Sequence, residues 1–417
     1  MANTTSPTLD IRSYALVTAV YWGFTLTDGA LRMLVLLYFH QLGYSPFEVA
    51  LLFVLYEFFG VVTNLIGGWI GSRFGLKITL FSGLGLQIAA LSMLALLPAT
   101  WPQWAAISYV MGSQSLSGIA KDLTKMSSKS AIKMVVPPNA SGALFKWVAI
   151  LTGSKNALKG VGFFMGGALL TAVGFANGLW MMVAGLSIVL LIALFFLKRD
   201  MGKSKHKVPF KQLLSKTSAI NTLSAARFFL FGARDVWFVV GVPLFMQSVL
   251  GWSHTAVGTF FALWVIGYGV VQSAAPRFLR RQTPNGATTQ FWVLLLTLVM
   301  IVIAVLLSFG WQLQWVLIIG LGIFGILFAI NSSVHSFLIL DYTDSDKVAL
   351  NVGFYYMANA GGRLTGTIAS GLLYQGFGLP GTMWGSVMAL TLVWLISARL
   401  PRRPGAEDYG RSQNQVA

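Results

Sequence analysis

GWIGSRFGLK, residues 68–77, joins two apolar runs through a short turn that carries Arg73 and Lys77. Upstream, residues 47–71 are almost wholly apolar, interrupted chiefly by Glu57 and Asn64; downstream, 78–97 hold no charge at all. Each run matches the roughly 20 residues that an α-helix needs to cross a hydrocarbon core. A tight basic turn between two such runs is a membrane hairpin whose turn stays cytoplasmic. Extending the same reading both ways predicts helices over 14–39, 47–71, 78–97, 103–122, 143–172, 177–197, 219–249, 255–275, 288–308, 313–339, 349–374 and 381–399. The expected fold class is therefore an all-α membrane protein of twelve transmembrane helices.

Composition agrees. Of 417 residues 56% are hydrophobic and only 10% charged, against about 25% charged in a typical soluble domain. Mean hydropathy is +0.73. Residues 1–13 are polar, and the run starting at Tyr14 is too long for a signal h-region, so it is expected to remain as a span. With no cysteine, thiol nucleophiles, disulfides and cysteine-bound metals are excluded. The four histidines (His40, His206, His254, His335) have no metal-ligand spacing. No cofactor, metal or catalytic residue is expected.

The net charge of +17 would suggest nucleic acid in a soluble protein. Here the charge sits where membrane topology puts it, and no nucleic-acid partner is expected. With a cytoplasmic N-terminus, the loops at 40–45, 99–103, 174–178, 251–255, 309–314 and 376–381 face outward, and none holds Lys or Arg. The intervening loops hold Arg73, Lys77, Lys121 to Lys133, Lys198 to Lys216, Arg277, Arg280, Arg281 and Lys347. That asymmetry predicts both termini in the cytoplasm. Residues 198–217, including KRDMGKSKHKVPFKQLLSK, are read as a basic linker lying near anionic lipid. It separates a six-helix bundle over 1–197 from a second over 218–400, followed by a cytoplasmic tail over 401–417. The halves repeat weakly at an offset of 208: LGYSPFEV (42–49) resembles LGWSHTAV (250–257), and Gly153-Ser154-Lys155 matches Gly361-Gly362-Arg363. Duplicated halves suit alternating access around a midplane site.

In GWIGSRFGLK, residues Gly68, Arg73, Gly75 and Lys77 resemble the helix 2–3 signature of the major facilitator superfamily, with Ser72 where that family usually has Asp. The resemblance implies two pseudo-symmetric six-helix bundles and a gating role for these four residues. YWGFTLTDGALRMLVLLYFHQLGYSP (21–46) and GIAKDLTKMSSKSAIK (118–133) further resemble the organoarsenical efflux permeases of arsenate-resistance operons, the ArsJ type. That resemblance implies export of 1-arseno-3-phosphoglycerate. It also implies functional partnership with a glyceraldehyde-3-phosphate dehydrogenase, in a bacterial inner membrane. The protein is expected to act as a monomer.

Charges inside spans are costly and mark function by default. The mid-span cations are Arg32, Lys155, Lys159, Arg227, Arg234 and Arg363; the acids are Asp28, Glu57 and Asp235. Six against three leaves an excess of three positive charges, which favours a hydrated cavity or a bound anion. Arg32, Lys155, Lys159, Arg234, Arg363 and Asn359 are the expected substrate-binding residues, and Asp28, Glu57 and Asp235 the expected coupling or ion-pair residues. Two ordinary readings compete: Asp28 and Arg32 neutralising each other at i and i+4, and Arg227 snorkelling to the headgroups. The function expected is efflux of a small anionic substrate. Alternatives are an organophosphate or other organic-anion exchanger, a proton-coupled multidrug antiporter, and a lipid-phosphate enzyme, for which no catalytic constellation is visible.

Overall fold

The computed structural model describes residues 11–74, 76–98, 100–131, 141–197, 217–279, 284–343 and 348–402, and among them every regular element is helical. The linker from 198 to 216, the tail beyond 402, Gly75, Lys133, Arg280, Arg281 and Lys347 lie outside the described residues. The helices are α1 (Ile11–Gln41), α2 (Pro46–Leu51), α3 (Val54–Phe74), α4 (Leu76–Ala95), α5 (Gln103–Ala131), α6 (Ser141–Val173) and α7 (Phe175–Phe196). After the linker come α8 (Ser218–Phe238), α9 (Gly241–Ser248), α10 (His254–Leu279), α11 (Gly286–Ser308), α12 (Leu313–Trp315), a π-helical turn (Val316–Gly320), α13 (Leu321–Asp341) and α14 (Val348–Ser397).

Nine stretches are long and apolar enough to cross a membrane among the described residues. One of them, Asn351–Ser397, is two helices meeting at Gly378. With α1 and α5, which are long enough but carry charge, the count reaches the expected twelve. At Gly378 φ is +65° and ψ −162°, a backbone conformation essentially confined to glycine.

Two expected single helices are broken. The 47–71 run is interrupted at Leu52–Phe53, between α2 and α3. The 219–249 run breaks after Val239 because Pro243 lacks an N–H and its ring would clash with the carbonyl four residues back. The N–H groups of Val240 and Gly241, at that break, both donate to Ser370 Oγ at 3.2 Å.

The described residues fall into two compact units, and each takes residues from both sides of the linker. One gathers those within Met1–Tyr38, Ile66–Val208 and His254–Ile266; the other gathers those within Phe39–Leu65, Pro209–Ser253 and Gly267–Ala417. In the first, α6 lies against α1 with almost no side chain between. A Cβ on Gly162 would meet the backbone of Gly29, and one on Gly29 would meet the carbonyl of Lys159. Other α6 glycines face α10: a Cβ on Gly160 would meet the carbonyl of Ala262. In the second unit, α8 and α14 approach as closely. A Cβ on Gly366 would meet the carbonyl of Gly232, and Gly362 lies directly on the carbonyl of Phe228. Small residues at such crossings let helices pack where no hydrophobic effect drives them together. Ile220 and Leu223 of α8 pack with Val334, Leu338 and Tyr355 in an apolar cluster at the start of α8.

Candidate functional site

In the first unit the α1–α6 crossing sets the charges. Asp28 is 6% exposed, and its Oδ2 lies 3.4 Å from Lys159 Nζ. Lys159 reaches Asp28 from α6 because the backbone contact at Gly29 and Gly162 holds the two helices together. Arg32 is buried on the same helix, and Lys155 is half-buried one turn before Lys159. Trp22 Nε1 donates to Ser154 Oγ at 3.0 Å. Lys77 Nζ donates to the carbonyl of Leu197 at 2.8 Å, satisfying an end-of-helix oxygen and complementing the dipole of α7. Gly68 and Arg73 lie in α3, their surroundings outside the described set. A hollow of about 270 Å³ between α1, α6 and α7 is lined by apolar groups such as Leu26, Met165 and Met182. It offers nothing to an anion.

In the second unit the glycine contacts of α14 on α8 bring Arg363 beside Asp235. Arg363 Nη2 lies 2.5 Å from Glu57 Oε1, and its Nε lies 3.1 Å from Asp235 Oδ2. Asp235 Oδ1 accepts from Arg234 Nε at 2.6 Å and is also in ion-pair contact with Arg234 Nη2. Glu57, Arg363, Asp235 and Arg234 thus form a chain of alternating charge, both acids fully buried. Arg234 also lies over the rings of Phe231 at 4.9 Å and Phe238 at 5.3 Å. Asn64 Nδ2 donates to the carbonyl of Gly60 at 2.6 Å.

These contacts correct the electrostatic picture drawn from counting. Arg234, Arg363 and Lys159 each face a carboxylate, so they are not a bare positive wall. Spacing along one helix cannot reveal such pairs, because every partner but Arg234's comes from a different element. Asn359, expected beside Arg363, has its Oδ1 2.9 Å from Arg227 Nε instead.

Arg227 is the residue that sequence reading undervalued. It does not snorkel: it is 4% exposed. Its Nη1 donates to Ser332 Oγ at 3.2 Å and more weakly to the Ser332 carbonyl at 3.4 Å. Its guanidinium lies 4.0 Å from the Phe231 ring centre and 5.0 Å from that of Tyr355. Among the described residues all its partners are neutral. Its mid-span charge was legible in the sequence, but its seven-residue separation from Arg234 marks a shared face without distinguishing the two environments.

The sequence model of the Major Facilitator Superfamily matches residues 17–334, more than half of the chain. The chain belongs to the major facilitator superfamily. Two solved structures share the fold. One is a POT family transporter in complex with 5-aminolevulinic acid, at TM-score 0.72 and 16% identity, covering 93% of this chain and 95% of that one. The other is a POT family transporter in complex with a thioalcohol-conjugated peptide, at TM-score 0.72 and 15% identity, with the same coverage. No curated protein matches the chain. Superfamily membership makes this a multi-pass membrane transporter and not an enzyme, which removes the lipid-phosphate enzyme alternative.

Proposed function

We infer that the chain exports an organic anion across the bacterial inner membrane by alternating access. By the resemblance carried in residues 21–46 and 118–133, the cargo is 1-arseno-3-phosphoglycerate. The supporting observation is the mid-span charge balance, six cations against three acids, with buried Arg227 contacting only neutral groups among the described residues. Guanidinium forks match phosphate and arsenate in two-point geometry, whereas Lys supplies a point charge.

Arg363 and Arg234 bind such cargo by exchange. The anion takes a guanidinium edge that Glu57 or Asp235 holds in its absence, so occupancy changes the contacts of α3, α8 and α14 together. A ligand shifts a conformational balance only through such differential contacts. Lys155, Lys159, Arg32 and Asn359 complete the proposed contact set, and Gly68, Arg73, Gly75 and Lys77 form the proposed gate between the two six-helix halves. A negative-inside potential drives each exported negative charge by about 2.3 kcal/mol per 100 mV. The carboxylate displaced from Arg363 also supports a second reading, in which Glu57 or Asp235 takes up a proton and couples flux to the pH gradient.

The test is arsenate tolerance of a sensitive bacterium expressing the chain with and without a glyceraldehyde-3-phosphate dehydrogenase. Protection is expected only with the dehydrogenase; equal protection without it rejects the arsenophosphoglycerate assignment. Vesicle flux that ignores imposed voltage and follows only the pH gradient replaces electrogenic export with proton coupling.

A further inference from the structure

We propose that Arg227 is the centre of a second oxyanion site, built inside the second unit and separate from the Glu57–Arg363–Asp235–Arg234 chain. Its ligand class is a tetrahedral oxyanion, phosphate or arsenate, free or as the head of the cargo. It deepens the export reading and rests on that reading only for the cargo's identity.

Three helices contribute, each with two residues one turn apart: Ser224 and Arg227 on α8, Ser332 and His335 on α13, Tyr355 and Asn359 on α14. Spacings of three or four residues place each pair on one helix face. The hydrogen bonds of Arg227 to Ser332 and Asn359 bring the three faces together. Ser224, Arg227, Ser332, His335 and Tyr355 are all more than nine-tenths buried.

The polar groups here are poorly satisfied. The Ser224 hydroxyl and both ring nitrogens of His335 are buried with no hydrogen-bond partner, and the Tyr355 hydroxyl is buried with only a poorly aligned contact to Ser336. Ser332 Oγ accepts from Arg227 Nη1 at 3.2 Å and from Gln272 Nε2 at 3.4 Å. Both of its acceptor positions are then used, and its proton is left to give. Arg227 Nη2 has no acceptor among the described residues. A buried guanidinium lies on the helix faces that carry three buried hydroxyls and an imidazole, with no carboxylate among the contacts of Arg227. Buried polar groups are normally paired, and each exception calls for a cause. One bound acceptor-only anion meets the charge of Arg227 and the free hydroxyl protons together. Water would meet the hydroxyls and leave the charge uncompensated.

The contrast with the neighbouring chain of charges sharpens the assignment. Arg234, seven residues along α8, and Arg363 on α14 have carboxylates that must be displaced before an anion binds. Arg227 needs no displacement. It is therefore the higher-affinity of the two sites for a small oxyanion.

The test uses the full-length protein in nanodiscs, with inorganic phosphate and arsenate as probes and chloride as control. Equilibrium binding is followed by radiolabelled phosphate and by melting temperature. Ser224→Ala removes a hydroxyl with no partner and Tyr355→Phe one whose only neighbour is a poorly aligned Ser336, so the ligand-free double variant should melt close to the wild-type temperature. Wild type should bind phosphate and arsenate in preference to chloride. The double variant should bind at least tenfold more weakly, and Arg227→Lys should lose binding while still folding. Unchanged phosphate affinity in the folded double variant overturns the site. So does absence of phosphate and arsenate binding to wild type, even if the vesicles export an organoarsenical. Binding lost in the variants, together with wild-type vesicles that carry no organic anion, upholds the site and overturns the export reading instead.

Discussion

Asp235 accepts two arginines at once, and that makes it the most exposed point of the buried charge chain to mutation. Asp235→Asn leaves Arg234 with ring contacts alone and Arg363 with Glu57 alone. Removing one partner of a buried ion pair costs about 3–5 kcal/mol, whereas replacing both partners by apolar groups is often close to neutral. A marked fall in melting temperature is therefore expected for Asp235→Asn, with substantial recovery in Arg234→Leu/Asp235→Leu. A double variant as unstable as Asp235→Asn would show that Arg363 carries the cost and that Arg234 is a minor partner. Transport should be lost in both, because the exchange of carboxylate for cargo goes with the pair.

At the scale of elements, glycine decides where charged side chains meet. The α1–α6 and α8–α14 crossings are backbone contacts, and each sets an ion pair beside it: Asp28 with Lys159, Asp235 with Arg363. Gly162→Leu should push α1 from α6 and lower the melting temperature sharply. Gly112→Ala, where a Cβ meets nothing within 4 Å, should be neutral or slightly stabilising through helix propensity. Equal effects of the two would detach the glycines from helix packing. The α8–α9 break depends on a third helix. Ser370→Ala leaves two buried N–H groups without their acceptor, at about 1–3 kcal/mol each, and should show as faster hydrogen exchange confined to Val240 and Gly241.

At the scale of the molecule, the chain's lack of cysteine makes its proposed orientation directly measurable. Single cysteines at Gln312 and at Lys203 should behave oppositely toward a membrane-impermeant maleimide. Gln312→Cys should label in intact cells, and Lys203→Cys only after permeabilisation. The reverse pattern would invert the topology and make the proposed export an uptake. The repeat seen at an offset of 208 has a backbone counterpart that favours duplication: Gly43 and Gly251 both have positive φ, +87° and +69°, just before α2 and α10.

Helix number and the superfamily were legible along the chain because both depend on local quantities: the length of apolar runs, the spacing of turns and a short signature around Gly68 to Lys77. The positions of mid-span charges were legible for the same reason. Their pairing was not. Asp28 has Arg32 one turn away on its own helix, but its contact with Lys159 on another helix is set by the absence of side chains at a helix crossing. Arg227 and Arg234 share a face of α8, yet one meets amide, hydroxyl and rings while the other meets a carboxylate. Electrostatic partners are fixed by which helices lie within a few ångströms of one another. That is a property of three-dimensional packing, and no periodicity within a single helix encodes it.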